Sequence, residues 1–246
     1  MGCGSSASAS EPGSGGARSG GGQKGKNLLN QKVEFHYFQG LNGRADPLRQ
    51  MFEYHGQQYA KIEETPEGWE AKKARGEGGE FGGGLPYAEI TVNGQKKRLA
   101  QFGAILRMFC VKYGYYNPKD YKCSLYHDPI VDTWADVLGA SSKILFGSEA
   151  DKPKNVENFL AIAKKFHMMI ETQMRHHGGK YAGGNSVGMA DFVMAAWIGN
   201  FVHNPENPFS QPLQQSCDAT PKFKAYCQCI MTEFTYLKTR GKTSAF

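Results

Sequence analysis

Residues 33–38, Val-Glu-Phe-His-Tyr-Phe, alternate between two faces and are rich in β-formers, which predicts a strand. Gly40 and Asn42-Gly43 break it, and an apolar-periodic run over 45–54, closed by Gly56, predicts a helix. A second strand is expected over 58–62. Residues 65–84 are rich in Gly and charge and read as a long loop with a turn of helix around Trp69. Two alternating runs, 87–92 and 95–100, flank Asn93-Gly94, and a two-residue Asn-Gly turn is the strongest local hairpin signal. A further helix is expected over 102–112.

Beyond Asn117-Pro118 the texture changes to helix-length segments, roughly 121–146, 155–176, 189–202 and 221–238, with no convincing strand. The best start signal lies in Asn185-Ser-Val-Gly-Met-Ala-Asp191-Phe192. Gly188 can stand at the N-cap, Asp191 at N3 can reach back to its amide, and Val187 and Phe192 occupy the two staple positions. The pattern therefore predicts an α/β thioredoxin-like N-terminal domain over 33–115, ordered βαβ-ββα, and an all-α C-terminal domain over 119–246.

Composition adds what patterning cannot. With 246 residues, 40% of them hydrophobic and 12% aromatic, the chain can bury a sizeable core in one or two domains. No stretch approaches the roughly 20 apolar residues of a membrane-spanning helix, and no apolar segment near the start marks a secretory signal, so the folded part is expected to be intracellular. The formal charge is +6. Residues 1–32 hold Arg18, Lys24, Lys26 and Lys32 against Glu11 alone, which places half of the excess in the tail. What remains has no Lys/Arg block and excludes a nucleic-acid footprint.

The tail itself, almost wholly Gly, Ser and Ala up to Gln23, buries too little apolar area to offset its ordering entropy and reads as a disordered tether. Its tip, Met1-Gly2-Cys3-Gly4-Ser5-Ser6, fits the N-myristoylation pattern at Gly2, with Cys3 beside it as the palmitate acceptor. One acyl chain binds bilayers marginally and two bind stably, so the pair predicts a lipid anchor on the cytoplasmic face of a membrane. An ordinary flexible tail is the alternative.

Five collinear segments carry a family resemblance: Tyr37-Phe38 with Gly43-Arg44-Ala45-Asp46; Gly84-Leu85-Pro86; Leu99-Ala100-Gln101 with Ala104-Ile105; Ile130-Val131-Asp132-Thr133 with Asp136; and Gly184-Asn185-Ser186-Val187 with Ala190-Asp191-Phe192. They resemble the cytosolic glutathione transferases, most closely their sigma class. The resemblance implies glutathione as co-substrate, a homodimer, no metal, and conjugation of the glutathione thiolate to small electrophilic or lipid-derived substrates. It implies that Tyr37 hydrogen-bonds the thiolate and lowers its pKa, with Arg44 adding positive charge. Trp69 and Lys73 would clamp the glycine carboxylate, Leu85 before Pro86 would present its backbone to the cysteinyl part, and Gln101 would contact the γ-glutamyl group. Asp136 would reach across the dimer to the partner's γ-glutamyl amine. The acceptor pocket is expected between the domains, from side chains near Leu41, the 134–145 helix and the C-terminus.

Two departures stand out. Phe102 occupies the position where the family has Ser or Thr, which removes a side-chain hydrogen bond to the γ-glutamyl carboxylate worth roughly 1.5–3 kcal/mol. The turn after Phe38 is one residue longer, with Leu41-Asn42 where Lys or Arg is usual. These departures favour the alternative, a catalytically inactive dimeric scaffold or ligand-binding protein of the same fold at the membrane. Other constellations carry less. Cys227-Gln-Cys229 and His176-His177 lack a second ligand pair at structural-zinc spacing, Cys110 reads as core, and the Gly-rich stretch 76–84 has no Gly-Lys-Ser/Thr ending of a phosphate loop. Tyr37, where thiol-transferring relatives carry Cys, argues against disulfide exchange.

Overall fold

The computed structural model describes residues 32–77, 84–92 and 94–240. The acylation pattern at Gly2 and Cys3 lies outside the described residues. Strand β1 (Val33–Phe38) leads through a short 3-10 turn at Gly43–Ala45 into α1 (Asp46–His55), which Gly56 ends at φ +75°, a left-handed position that glycine adopts at little cost. Then come β2 (Ala60–Glu64), α2 (Pro66–Ala74), β3 (Tyr87–Val92), β4 (Gln95–Ala100) and α3 (Phe102–Tyr113). The sheet order is β2-β1-β3-β4, with β2 parallel to β1 and the other pairs antiparallel. This is the expected βαβ-ββα unit.

The expected turn of helix around Trp69 is observed as a longer helix, the nine residues of α2. Thr65 Oγ1 accepts the Gly68 N–H at 3.0 Å and Pro66 fills N1, so a capped start outweighs the Gly-rich and charged composition. Strand β2 lies two residues later than the pattern suggested, because pairing in register with β1, Glu34 opposite Ala60, decides its ends.

The helical half comprises α4 (Tyr121–Tyr126), α5 (Asp128–Phe146), α6 (Lys152–His177), α7 (Met189–Trp197), α8 (Ser210–Asp218), α9 (Pro221–Glu233) and α10 (Tyr236–Thr239). The expected single helix over 121–146 is broken at His127, two residues before Pro129, where a proline ring disfavours continuous helix. The His127 imidazole instead turns inward and accepts the Ala190 N–H at 3.3 Å, pinning the break to the start of α7. The predicted start of α7 is observed: Asp191 Oδ2 accepts the Gly188 N–H at 2.8 Å. The helix then passes into a π-turn over Ile198–Val202, and α8 occupies a stretch to which the sequence pattern assigns no element, burying Leu213 and Cys217 one turn apart. Among the described residues no helix is long and apolar enough to cross a membrane.

One face of β1 sends Val33, Phe35 and Tyr37 toward α1 and α3, where Phe35, Phe52 and Phe109 meet edge to face. Its other face carries Glu34 and His36, and His36 stacks on Tyr87 with ring centroids 4.1 Å apart. Trp69 of α2 covers that ring, 6.0 Å from it. The two halves join where α1 packs on α7, around a fully buried Asp46 that accepts from Asn200 at 2.8 Å and pairs with Arg240.

Candidate active site

A cavity of about 560 Å³ opens where the turn after β1, the Leu85-Pro86 step, the start of α3 and one face of α5 converge. Arg44, Leu85, Pro86, Gln101, Phe102 and Asp132 are among the residues that line it. The sequence predicted five of those six. Five of them arrive from chain reversals and Asp132 from the second turn of α5, which is how residues scattered along the sequence share one wall.

Tyr37 stands at the end of β1 with its ring 8% exposed. Its hydroxyl accepts the backbone N–H of Arg44 at 3.1 Å. Burial pushes the phenol above its ordinary value, against the lowering effect of that hydrogen bond and of the Arg44 and Arg49 charges. The phenol is therefore protonated at neutral pH, one lone pair is already used, and its proton is left to donate to an incoming anion. Gly43 makes the approach possible: it sits at φ +32°, and a Cβ there would fall 2.6 Å from the Tyr37 hydroxyl.

The longer turn does not displace Arg44 from Tyr37, and the reason is Arg49. This side chain is 4% exposed and donates from α1 to the Leu41 carbonyl at 3.0 Å and to Asn42 Oδ1 at 3.2 Å, with its guanidinium 5.9 Å from the Tyr37 ring centroid. Sequence reasoning passed over Arg49, and quoted Gly43 in a motif without giving it a role at the site. An Arg on the buried stripe of an amphipathic helix was the available signal.

At the start of α3, Gln101 has φ +69°, rare for a residue with a side chain, and makes no side-chain cap. Phe102 follows at the first helical position; it is 7% exposed, belongs to the core and also lines the cavity. The opening N–H groups of a helix have no intrahelical acceptor and carry the positive end of its dipole. With no hydroxyl from Phe102, they are what this corner offers to a carboxylate. Leu85-Pro86 is a cis step at the entry to β3.

Four predicted residues are not among those that line the cavity: Tyr37, which is bonded to the lining residue Arg44, and three that stand elsewhere. Trp69 is 4% exposed and packed on Tyr87; Lys73 is half-exposed and paired with Glu70 at 2.6 Å; neither is on the cavity wall among the described residues. Asp136 is exposed on α5, and Asp132, one turn earlier, is the acidic residue on the wall. The α5 residues facing the cavity are Val131, Asp132 and Ala135, so of the expected 134–145 segment only its start contributes. A second cavity of about 830 Å³, near Leu145, Val156 and Phe209, has no wall from the α/β half and so cannot hold a molecule against Tyr37.

This combination of a βαβ-ββα unit, a helical half docked through α1 and α7, and a cavity between the β1 turn and α3 is the glutathione transferase fold. Solved structures agree. The chain is 25% identical to a monomeric glutathione S-transferase, Na-GST-3, of the hookworm Necator americanus, covering 86% of this chain and 98% of that one at a TM-score of 0.69. It is 24% identical to a Nu-class transferase of Haemonchus contortus, over 88% and 100% of the two chains at 0.68, and 19% identical to prostaglandin synthase D of Nilaparvata lugens, over 85% and 98% at 0.64. No protein-family model and no curated protein matches the sequence.

Proposed function

We propose that the chain is a glutathione transferase in which Tyr37 holds the glutathione sulfur as a thiolate for attack on a small electrophile or lipid-derived acceptor. The observation that carries the reading is the protonated Tyr37 hydroxyl, which accepts from the backbone of Arg44, a residue of the cavity wall, and keeps its own proton to donate. A thiol is mostly protonated at neutral pH and its thiolate is the nucleophile, so a hydrogen bond given to sulfur stabilises the reactive form. Leu85 and Gln101 would seat the tripeptide along its backbone, the α3 N-terminus would receive its γ-glutamyl carboxylate, and Arg44 would supply charge above the sulfur. Sigma-class character, a dimer completed by Asp136, and a membrane anchor through Gly2 and Cys3 belong to the same proposal. They rest on the motifs and not on the cavity.

The test is a titration of the full chain with glutathione, following thiolate absorbance of the bound tripeptide across pH and conjugation to a chromogenic aryl halide. The expected result is saturable binding, with a bound thiol that ionises below its free value. Tyr37→Phe should remove that shift and lower kcat by about 10²–10³-fold, the usual effect of losing one preorganised donor to a developing anion. An unchanged thiol titration in a folded Tyr37→Phe variant would remove the proposed role of Tyr37. Absence of saturable binding at several millimolar would favour the non-catalytic alternative.

A further inference from the structure

The sheet face turned away from Tyr37 carries a cluster that the transferase chemistry does not use. Glu34 and Glu89 are cross-strand partners in the β1–β3 register, and His36 lies two residues beyond Glu34 on the same face. One donor atom from each of Glu34, His36 and Glu89 lies within 4.8 Å of the others. His36 is 8% exposed and its Nδ1 is bonded to Glu64 Oε1 at 2.8 Å. Its other nitrogen, Nε2, is buried with no hydrogen-bond partner among the described residues. A buried imidazole held by a carboxylate at one nitrogen and empty at the other is the arrangement that orients histidine toward a metal ion.

What occupies the gap between the carboxylates is Lys96. Its Nζ lies 3.1 Å from Glu34 Oε2 and 3.1 Å from Glu89 Oε2, while the outer oxygens are taken by Lys32 and Arg98. The Lys96 side chain is 64% exposed and can swing into water at little cost. With the inner imidazole nitrogen unpartnered and the gap between the carboxylates already filled by a cation, the donor set is arranged for a metal ion.

We propose that Glu34, His36 and Glu89 form a binding site for a first-row divalent metal ion, with Glu64 orienting the imidazole and Lys96 as the internal cation that the metal displaces. Metal to nitrogen or oxygen distances of about 2.0–2.2 Å require ligand atoms no more than roughly 4.3 Å apart, so a small rotation of the two partly exposed carboxylates completes the set. One imidazole and two carboxylates suit zinc, cobalt(II) or manganese(II) better than calcium. The ion would cross-link β1 to β3 on the side of the sheet that α2 covers.

The probe is zinc or cobalt(II) alone, titrated calorimetrically into the full chain, with the visible spectrum of the cobalt form recorded. Lys96→Met should tighten binding tenfold or more by removing the competitor. Glu34→Gln and Glu89→Gln, at partly exposed positions, should each weaken it tenfold or more, and the cobalt spectrum should lack thiolate charge-transfer bands. Melting curves without metal establish that each variant is folded. No binding by Lys96→Met at millimolar zinc would overturn the proposal. So would an affinity shared by Lys96→Met and Glu89→Gln, or thiolate bands, which would assign the ion to other residues such as His176-His177 or the cysteines.

Discussion

Replacing Phe102 by Ser tests how the corner at the start of α3 recognises an anion. Phe102 is the first residue of α3, it lines the cavity, and its ring is 7% exposed. A hydroxyl at that position lies beside the free N–H groups of the helix start and can donate to the same carboxylate. A hydrogen bond to a charged group contributes roughly 1.5–3 kcal/mol, which is about a tenfold to a hundredfold tighter glutathione dissociation constant. The ring it replaces is buried, and truncating a buried Phe costs about 3–5 kcal/mol of the roughly 5–15 kcal/mol that holds a domain folded. The variant should therefore melt lower by about 6–20 °C and still be folded at 10 °C. Calorimetric titration at that temperature, beside Phe102→Ala, separates the two effects. Both variants should lose similar stability, and only Ser should gain affinity. If Ala gains as much as Ser, bulk and not the missing hydroxyl limits binding, and if a folded Ser variant gains nothing, the corner does not receive the carboxylate.

Gly43→Ala should lower turnover with the fold largely kept, because the new methyl meets the Tyr37 hydroxyl at 2.6 Å and a φ of +32° suits it poorly; steady-state kinetics and the bound-thiol titration would show it. Arg240→Ala leaves Asp46 buried without its cation and should cost about 3–5 kcal/mol in urea unfolding, more than removal of an exposed pair. Stability against pH should separate three buried groups. Desolvation raises Asp191 to about 6, so its folded form binds a proton that the unfolded form has lost, and its contribution is present below about pH 4 and lost as pH rises through 6. Desolvation lowers His127 to about 4 and His167 to about 3, so their contribution has the opposite sign, present above about pH 6.5 and lost on acidification. Asp191→Asn should therefore lose stability more steeply than the parent between pH 6.5 and 4, by about 3 kcal/mol over the window, and a parallel pair of curves would contradict this.

Much of the α/β half is legible because its signals are local. Alternation in Val-Glu-Phe-His-Tyr-Phe, the Gly56 stop and the Asn-Gly turn each depend on a few neighbours. The α2 helix was obscured by Gly68 and the charges around it, although Thr65-Pro66 carried a capping signal. The break at His127 reflects Pro129 together with a contact 63 residues away, and only the second explains why the ring turns inward. The same division runs through the site. Tyr37 and Arg44 are seven residues apart and joined by one turn, so a motif can represent them. The choice between Asp132 and Asp136 depends on how α5 is rotated against the α3 start, and the His36 cluster on the register that sets Glu34 opposite Glu89. Neither is written in spacing along the chain.

The longer turn after β1 shows how the site tolerates a change in its own wall. One extra residue, with Leu41-Asn42 in a turn whose job is to present one N–H to one hydroxyl, would ordinarily loosen it, since a longer loop has more conformations to lose. Here the extra segment is tied at both its carbonyl and its amide oxygen by Arg49, a side chain rooted in the first turns of α1. The same stretch of helix begins with Asp46, which Asn200 and Arg240 hold from the helical half. The turn that positions Arg44 against Tyr37 is thus fastened from below by α1 and from behind by the C-terminal segment. The chemistry at the cavity mouth and the docking of the two halves therefore share residues. A substitution at Arg49 should accordingly be felt in the titration of the bound thiol before it is felt in substrate affinity, because what it releases is the geometry of the donor and not a contact to the substrate.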